Sequence, residues 1–593
     1  MERNDRLIQK KILKYMLTGV MTTIALQLGN VVDAMIVGNL LGSMGNAAVS
    51  ASIPYIYMLQ AATILLASGG SVMAAVLLGK RDAESAGKIM GFCLLAGIAY
   101  PLVFTFASPV LVPRYVQFTG AQGVLGEMTG DYSFIYSLGM PVISVALILS
   151  YFMNVDNHPS FSAGINILAN VVNLVLDFIL IRFTQMGIRG AALSTILGYL
   201  VAGLVYIPLY LRSKNRMLRP ELKGLTATGA LIREALKRGF PNLFYLILTV
   251  IGMSFLNRSI LGALGVAYYS AFAVANNTQY IVQMFLNGIS SVTASVAGAL
   301  YGEKDYYGMR VVLKKVFQYA LGAGAVLMAV FLLYPQGITR LYGFDEPEVI
   351  AELLTGLRLF ALSFGFFICN TISQNYYRTT GLTFLATAST AMQLLVIKIP
   401  VMLLGMKLYG FAGLFASMIL SELLSFLLLN LIRICLQKRG KVPLKGFMAI
   451  PEVNSGTVCD LTVTGSDEQA VRVSQRIMEY CLNEKISARN ANILGLAAEE
   501  IVANIGQYGY PDRKDKNVDI CLSGADGRYC LRIRDDGIPF DPVSYVPEED
   551  SPETTGGLSL LKKMAVKITY MRVISLNNTI IEVENREGEA EHE

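Results

Sequence analysis

Long apolar runs alternate with short polar segments through the first three quarters of the chain. Each run reaches or exceeds about 20 residues, the length that an apolar helix needs to cross a lipid bilayer. Several runs are long and rich in glycine, which favours tilted or bent spans. The pattern therefore predicts an all-α membrane part of twelve transmembrane helices, near residues 12–39, 50–79, 89–111, 131–153, 161–182, 189–211, 240–262, 268–300, 311–334, 352–377, 382–405 and 410–434.

The hydrophobic pattern changes beyond a short basic linker at 435–456. Alternating apolar residues predict strands, and apolar residues at helical spacing predict amphipathic helices, one of them with Ser487 as its N-cap. The last two strands are expected to form a hairpin that turns at Leu576 and Asn577. The order of elements predicts an α+β sandwich, a layer of helices on a mostly antiparallel sheet. Strands are expected over 459–465, 516–524, 528–536, 567–573 and 578–585, and helices over 467–485, over 487–510 and from Gly556 onward.

Composition separates the two parts further. The chain of 593 residues is 54% hydrophobic and only 16% charged, whereas soluble domains average about 25% charged residues. Residues 451–593 carry 15 basic and 25 acidic side chains, and the first 450 residues carry 34 and 18. A purely soluble enzyme, a disulfide scaffold and a disordered chain are thereby excluded. The only histidines are His158 and His592, so a histidine-based metal centre is excluded as well.

Basic residues mark one side of the membrane. The lead-in to the first span holds five Lys or Arg, 212–238 holds eight, 302–315 holds four and 433–445 holds five, whereas 40–49 and 263–267 hold none. Loops rich in Lys and Arg stay in the cytoplasm. An even number of spans then places both termini and the acidic C-terminal part in the cytoplasm, with the spans in the plasma (inner) membrane.

The membrane part repeats itself with a shift of 223 residues: Gly42 falls on Gly265, 68–82 on 291–305, and 187–197 on 410–420. One constant offset over three segments predicts two homologous lobes of six helices each, residues 1–223 and 224–434. Two such halves with a site between or within them are a common plan for secondary transporters.

Four polar residues stand out inside the spans of the first lobe. Asp33 is the only charge in the apolar segment 15–42, Asp177 lies four residues after Asn173 on the same helix face, and Thr195 follows in the next span. A carboxylate inside a membrane costs about 2.5–3.5 kcal/mol on insertion scales, which favours a functional role over simple packing. Shifted by the repeat, these positions become apolar: Leu256, Val396, Pro400 and Met418.

The second lobe has a charged pair of its own, Lys398 and Glu422. An internal ion pair explains these two residues as well as a substrate site does. Both interpretations therefore stay open at the level of the sequence.

These segments resemble the multidrug and toxic compound extrusion (MATE) family of secondary transporters over about residues 10–434. NVVDAMIVGNLLG is similar to the signature of the family's first helix, NLVLDFILI to the fifth, GIRGAALSTIL to the sixth and GKRDAESAGK to the loop after the second. The resemblance implies export of cationic amphipathic compounds, driven by Na⁺ or H⁺, through rocking of two lobes. It also implies that Asp33, Asn173, Asp177 and Thr195 form the cation site of the N-terminal lobe.

Three short motifs follow one another in the C-terminal part. A glutamate and an asparagine four residues apart on one helix can orient water and hold Mg²⁺. A carboxylate in a turn after a strand can accept a hydrogen bond from the adenine amino group, and glycine amides at the start of a helix suit phosphate oxygens. Each motif alone is weak, but their order points to a nucleotide site. In chain order they are Glu500 with Asn504, Asp535 with Gly537, and Gly556 with Gly557 and Leu558.

Together the motifs resemble the Bergerat-type ATPase fold of gyrase, Hsp90, histidine kinases and MutL (GHKL), over residues 457–586. The anti-sigma-factor serine kinases are the most similar branch. The resemblance implies ATP and Mg²⁺ as cofactors, with Glu500 as general base and Asn504 as the Mg²⁺ ligand. It also implies adenine recognition by Asp535 and Gly537, and a phosphate lid at the glycine motif.

The combined prediction is a cation-coupled exporter fused to a cytoplasmic ATP-binding, kinase-like regulator, with a short acidic tail at 587–593. Neither histidine suits an autokinase, and no G-x-x-x-x-G-K-[ST] motif for an ATP-driven pump occurs. Two alternatives stay open. One is a membrane sensor that controls a serine kinase acting on an anti-sigma-antagonist-like protein partner; the other is an exporter of a lipid-linked or metabolic substrate. Small-molecule cargo and the lipid bilayer are expected partners, and nucleic acid is not.

Overall fold

The computed structural model describes residues 4–584, apart from 81, 157, 214–215, 222–228, 304, 345, 441–457, 465, 511–516, 526–527, 545–560, 563 and 565–566. Helices occupy the apolar part of this described chain, and a small sheet with two helices occupies the C-terminal part. Most of the basic linker, the predicted glycine motif Gly556–Leu558 and the acidic tail lie outside the described residues.

The described residues of the membrane part form helices without strands. This agrees with the apolar runs, because a chain in lipid must satisfy its backbone hydrogen bonds within each segment. Two short π-helical turns, Thr293–Ala297 and Met392–Val396, continue α7 into α8 and α13 towards α14. The helices are α1 (Arg6–Gly79), α2 (Ala83–Thr119), α3 (Gly123–Val155), α4 (Pro159–Phe183), α5 (Ile188–Arg212), α6 (Gly229–Leu264), α7 (Val266–Val292), α8 (Gly298–Gly302), α9 (Tyr306–Leu333), α10 (Pro335–Leu341), α11 (Ile350–Leu362), α12 (Phe364–Thr379), α13 (Thr383–Ala391) and α14 (Lys398–Lys438).

Nine helices of the described chain are long and apolar enough to cross a membrane, and α11 with α12, bent by 44°, can form a tenth span. Two of the long helices are interrupted inside. Gly42 interrupts α1 with a φ of 72°, and Gly410 interrupts α14 with a φ of 62°. Glycine adopts this left-handed backbone conformation without steric cost. The first interruption falls between the first and second expected spans, and the second falls at the first residue of the last expected span.

The backbone repeats with the shift that the sequence shows. The equivalent glycines Gly42 and Gly265 have φ values of 72° and 87°, and Gly187 and Gly410 have φ values of 56° and 62°. The equivalent residues Asp82 and Asp305 each cap the helix that follows, by accepting a hydrogen bond from a backbone N–H at 3.0 Å. The two lobes therefore share the same turn and capping chemistry.

The C-terminal domain contains, among its described residues, a five-stranded antiparallel sheet and two longer helices. The helices α15 (Asp467–Asn483) and α16 (Ala488–Tyr508) cover one face of the sheet, and Ser487 caps α16 as predicted. Apolar side chains from alternate strand positions form the core beneath them. The strands are β1 (Val458–Val463), β2 (Val518–Ala525), β3 (Arg528–Asp535), β4 (Lys567–Val573) and β5 (Leu576–Glu584), in the spatial order β1-β2-β3-β5-β4.

The predicted turn of the last hairpin is wrong. The chain turns at Ile574 and Ser575, whose φ values are 51° and 57°, and Val573 pairs directly with Leu576. Positive φ at both central residues is what the tight two-residue hairpin turns require. Asn577 has the stronger turn propensity, but it is a buried residue of β5 because its amide forms hydrogen bonds inside the domain.

Candidate functional site

The first lobe brings its polar side chains together between three helices. Asp33 lies on α1, Asn173 and Asp177 lie on α4, and Thr195 lies on α5. Asp177 is 0% exposed and Asn173 is 8% exposed, while Asp33 and Thr195 are partly buried. The carboxyl groups of Asp33 and Asp177 lie in hydrogen-bonding contact with each other. The structure therefore brings all four residues that the sequence singled out into one cluster.

The amide of Asn173 organises this cluster. Its Nδ2 donates to Asp177 Oδ2 at 3.1 Å, and it lies 3.1 Å from Ser194 Oγ and 3.3 Å from Thr195 Oγ1. The spacing of Asn173 and Asp177 makes their contact a property of α4 alone. The two hydroxyl groups come from α5, so the packing of α5 against α4 completes the cluster.

Two residues of the cluster were not predicted. Ser194 Oγ donates a hydrogen bond to Asp177 Oδ1, and the Tyr132 hydroxyl of α3 contacts Thr195. Ser194 stands next to Thr195 in the sequence, so a hydroxyl was visible there, but the rotation of α5 decides which neighbour faces the carboxyl group. Nothing in the sequence distinguished Tyr132 from the other tyrosines.

The cluster presents oxygen atoms from carboxyl, hydroxyl and amide groups. Such oxygen sets suit hard cations. Two carboxyl groups in contact repel each other when both are ionised, and either a proton or a bound cation relieves that repulsion. The arrangement therefore has the chemistry to bind H⁺ or a small cation such as Na⁺ reversibly.

The second lobe holds a different polar cluster. Asn370 of α12 is fully buried, and its Nδ2 donates to Glu422 Oε2 of α14 at 2.7 Å and to the Glu422 backbone oxygen at 2.9 Å. Lys398 and Glu422 line the same small cavity together with Gln279. An ammonium group and a carboxylate thus face one cavity here, where the first lobe has two carboxyl groups.

The lobes meet at a pair of equivalent tyrosines. Tyr57 of α1 and Tyr280 of α7 are separated by the repeat shift, and their hydroxyl groups hydrogen-bond to each other. Tyr136 lies nearby and accepts a hydrogen bond from Gln60 Nε2 at 2.8 Å. The local symmetry axis of the repeat therefore passes between Tyr57 and Tyr280, and aromatic rings are concentrated around it.

In the C-terminal domain, Asp535 ends β3 on the side of the sheet that the helices cover. It is 3% exposed, and its Oδ1 accepts hydrogen bonds from Gly537 N at 2.7 Å and Asn577 Nδ2 at 2.9 Å. Burial raises the pKa of Asp535 to about 6, although the two donors act in the opposite direction. Asn577 was not predicted as a site residue; it faces Asp535 because β5 pairs with β3 in this register.

Glu500 and Asn504 lie one turn apart on α16. Asn504 Nδ2 donates to Glu500 Oε1 at 3.2 Å, and both side chains are half-buried. The loop after Asp535 is tied to the end of this helix, because Ile538 N donates to Gly509 O at 2.9 Å. The structure thus joins two of the three predicted motifs on one side of the domain, and the glycine motif lies outside the described residues.

Each part of the chain matches a known family. The MatE family matches residues 20–179 and 242–404, one block in each lobe. A histidine kinase-like ATPase domain matches residues 463–582. The chain therefore belongs to the MatE family, and it is a membrane transporter of the MATE type with an ATPase-like domain at its C-terminal end. Both family predictions from the sequence are confirmed.

Individual relatives agree with this assignment for the membrane part. The multidrug export protein MepA of Staphylococcus haemolyticus is 25% identical over 385 residues, which cover 63% of this chain and 82% of MepA. MepA of Staphylococcus aureus (strain MRSA252) is 25% identical over 447 residues, which cover 72% and 94%.

Solved structures show the same fold. An inward-facing multidrug resistance MATE family transporter superposes with a TM-score of 0.65 at 20% identity, covering 72% of this chain and 98% of that one. The MATE multidrug transporter DinF-BH in complex with R6G superposes with a TM-score of 0.59 at 22% identity, covering 75% and 99%.

Proposed function

We propose that the protein is a secondary antiporter of the plasma membrane that exports cationic amphipathic compounds in exchange for Na⁺ or H⁺. The observation that carries this proposal is the contact between Asp33 and Asp177, with Asn173 and the α5 hydroxyls around it. The exchanged ion balances the two carboxyl groups. An ion can change the preferred orientation of the lobes only if it binds the inward-facing and outward-facing states with different affinity. The cluster that binds the ion is therefore the site of coupling.

The cargo is proposed to bind between the lobes. The tyrosines around Tyr57 and Tyr280 offer aromatic faces, which attract organic cations. The relatives named multidrug export proteins and the MATE transporter solved with R6G support a cargo of this kind.

The topology proposed with this function has twelve spans. The nine long helices and the bent pair supply ten, and the interruptions at Gly42 and Gly410 divide two of the long apolar stretches. With an even number of spans and the basic loops on the cytoplasmic side, both termini and the ATPase-like domain are proposed to lie in the cytoplasm.

For the ATPase-like domain we propose ATP binding with Mg²⁺ and a regulatory or serine kinase-like role. Asp535 and Gly537 would hold the adenine, Asn504 the Mg²⁺, and Gly556, Gly557 and Leu558 the phosphates. Glu500 would act as general base, which affects the chemical step and not binding. Glu500→Ala should therefore keep ATP affinity and lose hydrolysis or phosphotransfer. A variant that hydrolyses ATP at the wild-type rate would overturn this role of Glu500.

Transport in proteoliposomes tests the antiporter. Vesicles loaded with Na⁺, or with an acidic interior, should accumulate the fluorescent cation ethidium from the outside in exchange for the internal ion. Collapse of the gradient with an ionophore should stop accumulation, and ATP without a gradient should not start it. If neither gradient drives accumulation, the proposal is overturned and the alternative, a membrane sensor that controls a kinase, is favoured.

A further inference from the structure

The sheet of the C-terminal domain has a second face, which the helices do not cover. Successive residues of a strand point to opposite faces. Along β3, Leu531 and Ile533 enter the core beneath the helices, whereas Arg532 and Arg534 belong to the opposite face. Both arginines are nevertheless buried, 8% and 1% exposed. The membrane part of the same chain covers them.

The second lobe supplies the partners of these arginines. Arg534 Nη1 lies 2.9 Å from Asp305 Oδ2, its Nη2 pairs with Glu303, and Arg532 Nη2 lies 3.3 Å from Asp305. Asn578 of β5 accepts a hydrogen bond from Arg534 Nε at 2.9 Å and orients the guanidinium. Both acids lie in the short connection between α8 and α9. Two buried guanidinium groups and two carboxylates thus form a balanced cluster, which loses its compensation if one partner is removed.

The first lobe supplies a second attachment, at the beginning of α1. Lys10 Nζ lies 3.0 Å from Asp536 Oδ2, and Lys11 Nζ donates to the backbone oxygen of Ser575 at 2.8 Å. The Lys10 side chain is about half exposed, so its ion pair is weaker than the buried cluster in the second lobe. The domain is therefore attached to both lobes at once.

Three consecutive residues connect the two lobes and the proposed nucleotide site. Arg534 binds the second lobe, Asp536 binds the first, and Asp535 between them is the proposed adenine acceptor. We propose that residues 534–536, with their partners in the two lobes, form a nucleotide-controlled clamp. Adenine nucleotide bound at Asp535 tightens the attachment to both lobes and slows transport. The clamp rests on the nucleotide site proposed above.

The physical basis of the clamp is linkage. A ligand stabilises the conformation that it binds, and adenine recognition needs Asp535 and the Gly537 turn in the ordered arrangement that also positions Asp536. Transport by rocking changes the separation of the lobes. A domain that is fixed to both lobes favours one separation between them, and it thereby slows the rocking motion that transport requires. Because coupling is reciprocal, weakening an attachment must also weaken nucleotide binding.

The repeat supplies a matched control for the second-lobe attachment. Asp82 is equivalent to Asp305 and caps its own helix with the same 3.0 Å hydrogen bond. Among the described residues, no hydrogen bond or ion pair joins Asp82 to the C-terminal domain. Asparagine still caps a helix, so Asp82→Asn and Asp305→Asn both keep the cap, and Asp305→Asn alone weakens the clamp. Glu303→Gln is a second variant at the same attachment.

The experiment uses the full-length protein in vesicles with ADP and Mg²⁺ on both sides, because ADP tests occupancy without hydrolysis. Saturating ADP should slow ethidium transport about fivefold in the wild type and in Asp82→Asn, in the usual range of coupling energies. Asp305→Asn and Glu303→Gln should transport at the uninhibited rate with or without ADP. Both should also bind ADP about fivefold more weakly than the wild type, by the same linkage.

The outcomes separate the clamp from the function on which it rests. If the wild type binds ADP but its transport does not slow, or if Asp305→Asn slows as Asp82→Asn does, the clamp is overturned and the nucleotide site stands. If no ADP binds, both are overturned. If the wild type does not transport, the antiporter is overturned. The difference in ADP affinity between Asp305→Asn and Asp82→Asn then decides whether the attachment is coupled to the nucleotide site.

Discussion

The two lobes of the transporter share a backbone plan but hold different charges. In the first lobe Asn173 donates to Asp177, which contacts a second carboxyl group, that of Asp33. In the second lobe Asn370 of α12 donates to Glu422 of α14, but the nearby charge is the ammonium group of Lys398. Two ionised carboxyl groups in the first cluster would need an ion from solution for charge balance, whereas the second cluster contains its own counter-charge. This difference is the reason why we propose the first lobe as the site of the coupling ion.

A change in helix geometry accompanies this divergence. The second lobe has a π-helical turn at Met392–Val396, where one additional residue per turn rotates the helix that follows it. Val396, the equivalent of Asn173, is 60% exposed, and Pro400, the equivalent of Asp177, is exposed as well. Polar side chains at these two positions could not meet inside the second lobe. Its cluster is built instead from other positions on α12 and α14.

The largest expected effect is the loss of transport from the first lobe. Asp177→Asn or Asp33→Asn should reduce gradient-driven ethidium transport to the level of empty vesicles, because an amide can neither take up a proton nor balance a cation. Glu422→Gln should keep most of the transport, since the proposed ion site lies in the first lobe. Gel filtration in detergent checks that all three variants are folded. Full transport by both aspartate variants would contradict the assignment of the ion to the first lobe.

The next effect concerns stability. Lys398→Met leaves Glu422 without its counter-charge and should destabilise the protein by about 2 kcal/mol, since Lys398 is only partly buried. The double variant Lys398→Met with Glu422→Gln should recover most of this loss, because no buried charge remains. Thermal unfolding in detergent, followed with a thiol-reactive dye, measures both. If the double variant is less stable than Lys398→Met alone, the two residues do not compensate each other.

The residues of the first cluster were predictable, and its hydroxyl groups were less so. Asp33 and Asp177 were visible because charge is expensive inside a membrane, and Asn173 because a spacing of four residues puts it on the same helix face. Ser194 and Tyr132 depend on how α5 and α3 are rotated against α4, which the sequence does not encode locally. The contact of Asn577 with Asp535 depends on the register of β3 and β5. From its turn propensity, Asn577 was expected in the hairpin turn and not in a strand.

Another buried carboxyl group, Asp535, extends the comparison outside the membrane. Its pKa of about 6 lies above the ordinary value of 3.8, so the ionised carboxylate that we propose as the adenine acceptor is lost as the pH falls through about 6. ADP affinity should be constant above about pH 7 and fall about tenfold per pH unit below pH 6. Asp535→Asn should bind ADP about tenfold more weakly than the wild type at pH 7.5, and the two affinities should converge towards pH 5, where the wild-type carboxyl group is mostly protonated.

Calorimetry on the full-length protein between pH 5 and pH 8 measures this dependence. The ADP phosphates also titrate in this range, so the quantity to compare is the ratio of wild-type to Asp535→Asn affinity. In the protein without nucleotide, the raised pKa of Asp535 affects the stability of the domain, and this pH dependence has the opposite sign to that of ADP affinity. A raised carboxyl pKa means that the folded domain gains stability as the pH falls from about 6 to 4. A ratio that does not change with pH would show that Asp535 does not bind adenine as a carboxylate.

The smallest expected effect separates the two lobes at a single hydroxyl group. Ser194 and Ser417 are equivalent in the repeat. Ser194 Oγ donates to Asp177, whereas Ser417 Oγ donates at 2.6 Å to the backbone oxygen of Gly413 in its own helix.

Ser194→Ala should weaken the apparent affinity for the coupling ion by about 1 kcal/mol, roughly fivefold, because one ligand oxygen and one hydrogen bond at Asp177 are lost. Ser417→Ala should leave that affinity unchanged, since its bond is confined to the helix. Transport rates measured over a series of Na⁺ concentrations and pH values provide the comparison. Equal responses in the two variants would mean that the hydroxyl of Ser194 serves helix packing and not the ion.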